Sequence, residues 1–345
     1  MIIRSKAPLR LGLAGGGTDV SPFCDKYGGA VINVTINMYS YCTIVPRTDG
    51  KIIFNSPDRN VHLQFENTNH IDTNGDLLLH KGIYNRIVKD YNGGKPLSFE
   101  MTTYSDAPAG SGLGTSSTMV VTIIKAFMEW LNLPLGEYDA ARLAYDIERN
   151  DLKFAGGKQD QYSATFGGLN YMEFYDHDKV IVNPLRLKKW IKNEMENSIV
   201  LYFTGKSRDS GKIIDQQMKS VFSKNKDRLD GMMKLKKEAV DMKECILTGN
   251  FDGIADTIKM GWEAKKQTSS VISNPQIENT YNFALSHGAK ACKISGAGGG
   301  GFMMIWCDPE KRYDLIEALK GLKDGQVYTC QFVENGMQAW TLYNN

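Results

Sequence analysis

PAGSGLGTSSTMVVTIIKAF, residues 108–127, sets three glycines and four hydroxyl side chains within its first ten positions and then turns abruptly apolar. Gly110, Gly112 and Gly114 allow backbone angles and a close approach that a side chain would forbid. The apolar run from Met119 reads as a helix, so the loop delivers its backbone N–H groups at a helix N-terminus. There the unpaired donors and the helix dipole favour an anion. Ser111, Thr115, Ser116 and Ser117 add hydroxyls able to donate to phosphate oxygens or to coordinate Mg2+. The stretch therefore reads as a phosphate cradle, against the plainer alternative of a glycine turn closed by a Ser/Thr cap.

Two better-known cradles do not fit. The GxxxxGK[ST] pattern is absent, with no lysine after the last glycine, and the HRD and DFG set of protein kinases is missing. GAGGGG at 296–301 formally satisfies GxGxxG, but a dinucleotide loop must open a helix, and FMMIWC after it reads as a strand. A third cluster, LAGGGTD at 13–19, ends in an acid. Asp19 either caps a turn or accepts hydrogen bonds from vicinal sugar hydroxyls, and the stretch alone leaves both open.

The 345 residues are long for one domain and comfortable for two. Hydrophobic residues make up 42% and charged residues 23%, ordinary globular values. Lys and Arg total 41 against 39 Asp and Glu, a net charge of +2 that points to neither nucleic acid nor an anionic membrane. Six scattered cysteines, with no CxxC, read as reduced, buried thiols rather than a zinc site or disulfide framework. MIIRSKAPLRLGL lacks the apolar stretch of a secretory signal, and no run approaches a membrane span. The expectation is a cytoplasmic protein.

Along the chain, IIRSKAPLRLGLA, KIIFNS, VHLQFE, PLSFEMTTYS and GGLNYMEFY read as strands, and AVINVTINMYSYCTIV as a strand pair. DLLLHKGIYNRIVKDY, TMVVTIIKAFMEWLNL and DAARLAYDIERNDL read as helices. From 212 to 247 the composition turns Lys- and Met-rich. Met232, Leu235, Ala239, Met242 and Ile246 fall three and four apart, which predicts a core-facing helix side with a solvated lysine face. AKACKISGAGGGGFMMIWC reads as strand, glycine loop, strand, followed by a helix (YDLIEALKGL) and a last strand (QAWTLY). A boundary in 170–200 is expected, dividing the chain into 1–185 and 186–345.

With the three glycine segments in this order, the sequence resembles the GHMP small-molecule kinase superfamily. APLRLGLAGGGTD resembles its first motif, PAGSGLGTSS its second and KISGAGGGGF its third, over nearly the whole chain. PLRLGLAGGGTDVSPF and YFTGKSRDSGKI look most like the bacterial sugar kinases acting on D-glycero-D-manno-heptose phosphates. Fucokinase-type domains are next. The resemblance implies an α+β fold, with a ribosomal S5 domain 2-like N-terminal domain and a ferredoxin-like C-terminal domain. ATP and a sugar would share the cleft between them.

By that match Pro108, Gly110, Ser111, Gly112, Leu113, Gly114, Thr115, Ser116 and Ser117 would bind ATP. Gly17, Thr18, Asp19, Gly296, Ala297 and Gly298 would bind the sugar. Ser116 and Glu148 would hold Mg2+, which prefers hard oxygen ligands. Asp160 would take the proton from the attacking hydroxyl, with Arg10 beside it. The residues alone allow less: Glu148 as a surface helix acid and Asp160 as a loop acid bonded to backbone. Galactokinases carry a Glu-His pair where Gly16 and Gly17 stand, so galactose is not expected. TGKSRDSGK offers Lys206, Arg208 and Lys212 either as a seat for a substrate phosphate or as a cationic surface loop. The implied activity is a sugar 1-kinase using ATP and Mg2+. A mevalonate-type kinase and a non-catalytic sugar sensor are the alternatives.

Overall fold

The computed structural model describes residues 1–205, 210–222 and 226–343. The first half supplies seven strands of an eight-stranded sheet. Its elements are β1 (Ile2–Ala14), α1 (Phe23–Tyr27), β2 (Gly29–Pro46), β3 (Lys51–Ser56), β4 (Val61–Glu66), α2 (Leu78–Tyr91), β5 (Phe99–Ser105), α3 (Thr115–Leu131), α4 (Glu137–Asp146), α5 (Gln159–Phe166), β6 (Leu169–Phe174) and β7 (Val180–Pro184). AVINVTINMYSYCTIV is not a strand pair but the single strand β2. No glycine or proline interrupts it, and it changes neighbours midway instead of reversing. Gly29–Val34 pair with β6 and Ser40–Pro46 with β5, while β1 runs antiparallel along its other edge.

The second half holds α6 (Lys189–Ser198), β8 (Ile199–Phe203), α7 (Ser210–Val221), α8 (Lys226–Thr248), α9 (Phe251–Thr268), α10 (Pro275–Ser286), β9 (Ala289–Ile294), β10 (Phe302–Cys307), α11 (Arg312–Lys320), β11 (Gln326–Tyr328) and β12 (Gln338–Leu342). Strands β8 to β11 form an antiparallel sheet ordered β11-β8-β10-β9, with helices after its first and third strands. That connectivity is the ferredoxin-like split βαβ pattern the resemblance implies. FMMIWC reads as an unbroken apolar run because β10 is central and buried on both faces. The chain then returns: β12 pairs antiparallel with β1 as an edge of the first sheet.

Alternation along the strands assigns two cores. On one face of the first sheet, Ile44, Phe99 and Met101 pack against Ile83 and Ile87 of α2 and Val120, Ile124 and Phe127 of α3. On the other, Leu9, Leu11, Ile32 and Val34 meet Ala239, Met242 and Ile246 of α8 together with Leu201, Phe302 and Met304 of the second sheet. The methionine stripe of α8 is thus core-facing as predicted, and it ties the two halves together. All six cysteines are free, five buried and Cys245 half-buried. Among the described residues, no helix is long and apolar enough to cross a membrane.

Candidate active site

Gly110, Gly112 and Gly114 all take positive φ, at 75°, 83° and 78°. Helix α3 begins at Thr115, earlier than the apolar run suggests, so Thr115–Ser117 form its first turn. By helical geometry their amides have no intrahelical acceptor and point outward. The four hydroxyls divide. Ser111 is buried and bonded to Thr115 Oγ1 at 3.0 Å, and Ser117 is buried and donates to Glu148 Oε1 at 3.0 Å. Ser116 is exposed on a cleft of about 470 Å3, which Gly110, Gly112, Gly114, Thr115, Ser116 and Ser117 line. Pro108, Ser111 and Leu113 do not line it. They hold the loop's shape, with Pro108 O accepting from Ser111 N at 3.2 Å and Leu113 O from Arg10 N at 3.0 Å.

The third glycine loop packs directly on this one. Phe302 N donates to Ser111 O at 2.8 Å and Ser295 Oγ to Gly112 O at 3.0 Å. A Cβ at Gly112 would stand 2.4 Å from Ser295 O, and one at Gly296 2.8 Å from the Gly112 Cα, so neither position admits a side chain. Gly296 and Ala297 reach the cleft, whereas Gly298 turns under Ile272. The GAGGGG segment therefore serves a strand-to-strand loop and opens no helix.

Arg10, on β1 next to a register shift at Pro8–Arg10, is only 4% exposed. Its guanidinium grips Asp160 Oδ1 through Nε at 2.8 Å and Nη2 at 2.7 Å. Asp160 lies in the first turn of α5, not in a loop, and its side chain stays 24% exposed to the cleft. A Cβ at Gly114 would come within 3.3 Å of Asp160 Cγ, which puts the acid directly beside the glycine loop.

Two further acids are buried at the cleft. Asp19, 1% exposed, accepts from Gln159 N at 3.0 Å, Gln159 Nε2 at 3.1 Å and Gly17 N at 3.2 Å. Burial pushes its carboxyl up, and the Gln159 amide only partly offsets this. Gly17 lines the cleft with Asp19, while Thr18 does not; its Oγ1 donates to Gly15 O and Ala30 O, both at 2.8 Å. Glu148 is no surface acid. It sits 2% exposed on a π turn that continues α4, bonded to Ser117 and Gln161, with Arg149 Nη1 at 3.6 Å. Burial raises its carboxyl too, against Arg149. Among the described residues no three His, Cys, Asp or Glu side chains gather as metal ligands. The Glu148 carboxylate and the Ser116 hydroxyl on one cleft nonetheless suit Mg2+, which binds through one or two carboxylates plus substrate phosphates and water.

The far wall comes from the second half, and sequence reading missed most of it. Lys212, Asp215 and Gln217 of α7 and Lys265 of α9 line the cleft. Lys206 and Arg208 lie outside the described residues. Lys265 had one legible signal: it falls on the apolar stripe of Ile254, Ile258 and Trp262, where a lysine has no solvent to reach.

The family description "GHMP kinases N terminal domain" matches residues 79–168 and "GHMP kinases C terminal" matches 242–323. The chain is 51% identical over 340 residues to a D-glycero-alpha-D-manno-heptose 7-phosphate kinase of Campylobacter jejuni, covering 99% of each. It superposes with TM-score 0.84 and 46% identity on a D-glycero-D-manno-heptose 1-phosphate kinase from Bacteroides thetaiotaomicron, covering 99% of this chain and 100% of that one. The fold alone is shared with the mevalonate kinase of Methanococcus jannaschii, at TM-score 0.76 and 22% identity over 96% of this chain and 98% of the other. The chain belongs to the GHMP kinase family and is a phosphotransferase with an alcohol group as acceptor.

Proposed function

We propose that this sugar kinase transfers the γ-phosphoryl group of ATP to the anomeric hydroxyl of D-glycero-D-manno-heptose 7-phosphate. The product is the 1,7-bisphosphate, a precursor for nucleotide-activated heptose, made in the cytoplasm. The reading rests above all on the Arg10–Asp160 pair standing beside Gly114 in a chain half identical to a heptose 7-phosphate kinase. Transfer is direct and in line, and depends mainly on positioning and charge neutralisation. The Thr115–Ser117 amides hold the phosphate chain, and Asp160 accepts the hydroxyl proton late in a loose transition state. Arg10 orients that carboxylate and offers positive charge to the moving phosphoryl. Mg2+ bound by Ser116 and Glu148 would neutralise charge on the phosphates.

A second reading follows from the Bacteroides relative, a heptose 1-phosphate kinase, for which the phosphate already present would be at the other end. An ADP-release screen over heptoses, hexoses, mevalonate and their phosphates tests both, with phosphorus NMR of the product to locate the new ester. Turnover of heptose 7-phosphate to the 1,7-bisphosphate is the expected result. Preference for mevalonate, a product phosphorylated elsewhere, or no turnover refutes it.

A further inference from the structure

Lys265 has no role in the chemistry above, yet its position is unusual. The side chain is 4% exposed and lines the cleft. Its one hydrogen-bond partner among the described residues is the Gly296 carbonyl, and no carboxylate there is within ion-pair distance. An ammonium carries three donors, so two remain for something else. Neighbouring Lys293 shows the contrast. It donates to Leu13 O at 3.0 Å and pairs with Glu238 at 3.5 Å, and Glu238 in turn accepts from Gly15 N at 2.9 Å. Glu238 is therefore committed to another lysine and to the first glycine loop, as Asp19 is to Gln159 and Gly17.

A buried, uncompensated ammonium is costly unless a ligand completes it. We infer that Lys265 seats a phosphate monoester already carried by the acceptor sugar, at the end of the cleft that Gly17 lines. A Cβ at Gly16 would lie 3.7 Å from Lys265 Nζ, and one at Gly17 3.4 Å from the Gln217 amide. The glycines thus leave the space in front of the cation open. Burial, then the Lys293 charge, push the ammonium down to about 7, with Arg10 acting the same way and Glu238 and Asp19 opposing. An arriving dianion reverses that balance. Lys265 Nζ meets the Gly296 carbonyl and faces the Gly16 position, which belong to the third and first glycine loops and not to the Thr115–Ser117 turn, and this is why the phosphate assigned to it is the sugar's and not the nucleotide's.

The inference rests on the sugar-phosphate reading above, and its test separates the two. Lys265→Met and Lys265→Arg are compared with wild type on heptose 7-phosphate, on the unphosphorylated heptose and on varied MgATP. Truncating one side of a buried charged contact predicts a loss of about 30-fold or more in kcat/KM for the phosphorylated sugar. The unphosphorylated sugar and the KM for ATP should change by less than about threefold, and the Arg variant should recover part of the loss. Equal losses on both sugars, a raised KM for ATP, or no change overturns the inference. In parallel, calorimetry with inorganic phosphate on enzyme whose nucleotide cradle is saturated with a non-hydrolysable ATP analogue should show binding to wild type that Lys265→Met abolishes. This arm stands even if no heptose is turned over, in which case the substrate reading alone has failed; undiminished phosphate binding by the variant sinks the lysine's role.

Discussion

Gly112→Ala should damage the meeting of the second and third glycine loops far more than its one methyl group suggests. Gly94 provides the reference, because at φ 71° it has a similar backbone with nothing within 4 Å of the Cβ position. Alanine there bears only the left-handed penalty, about 1–2 kcal/mol. At Gly112, φ 83°, the new Cβ would also stand 2.4 Å from Ser295 O. Restoring ordinary contact requires a shift of about 1 Å, a strain of about 1–3 kcal/mol on the scale of overpacked cores. The Ser295 backbone cannot give freely, since its N donates to Phe302 O at 2.8 Å and its Oγ to Gly112 O at 3.0 Å. The sum is about 2–5 kcal/mol, which for a chain of this length is a fall in Tm of about 3–7 °C, against about 1–3 °C for Gly94→Ala. Paired thermal melts and MgATP titrations measure both consequences. If Gly112→Ala melts with Gly94→Ala and binds MgATP as wild type does, the packed cradle is not what holds the nucleotide.

Asp160→Asn should lower kcat by about 10²–10⁴-fold while the Kd for ATP stays within about threefold, and steady-state rates with a nucleotide titration decide it; near wild-type turnover removes the proton acceptor. Glu148→Gln should raise the Mg2+ concentration giving half-maximal rate by about tenfold, read from a metal titration at fixed ATP, and an unchanged requirement detaches Glu148 from the metal. Lys265 carries a stability signature. Its folded-state value near 7 lies below the ordinary lysine value of 10.5, so between those limits the unfolded chain binds more protons and folding stability rises with pH. Urea midpoints of Lys265→Met relative to wild type should therefore be most favourable at pH 7 and decline by pH 9; a pH-independent difference contradicts the buried ammonium.

What could be read in advance follows from how local each signal is. The strand-loop-helix run into α3, the stripe Met232–Ile246 and the strand-loop-strand of 289–307 each depend on neighbours within one or two turns, and each was legible. β2 was not, because its partner change at Val34–Ser40 is decided by β6 and β5, which arrive much later in the chain. The division of labour among the hydroxyls was equally hidden. Nothing in GTSS says that Ser117 turns inward to Glu148 while Ser116 faces the cleft; the angular offset of consecutive residues on α3 decides that only once the helix start at Thr115 is known.

Asp160 reaches the glycine loop through supports that are far apart in sequence and therefore depend on one another. Its helix is held at the N-terminus by Asp19, which takes both the main-chain and side-chain N–H of Gln159. The preceding residue, Lys158, is buried and ties that corner to Asp178 at 2.9 Å and Asp25 at 3.6 Å. Arg10 then fixes the carboxylate itself, while its own main chain is bonded to Leu113 in the second loop. A Cβ at Gly157 would stand 1.9 Å from Asp19 Oδ2, so the first motif and the approach to α5 are in contact as closely as the second and third loops. The acid thus sits at the junction of β1, the first and second glycine loops and α5, and removing any one support moves it relative to the amides of α3. A displacement of the order of 1 Å is enough to lower the rate about 100-fold without touching a reacting atom.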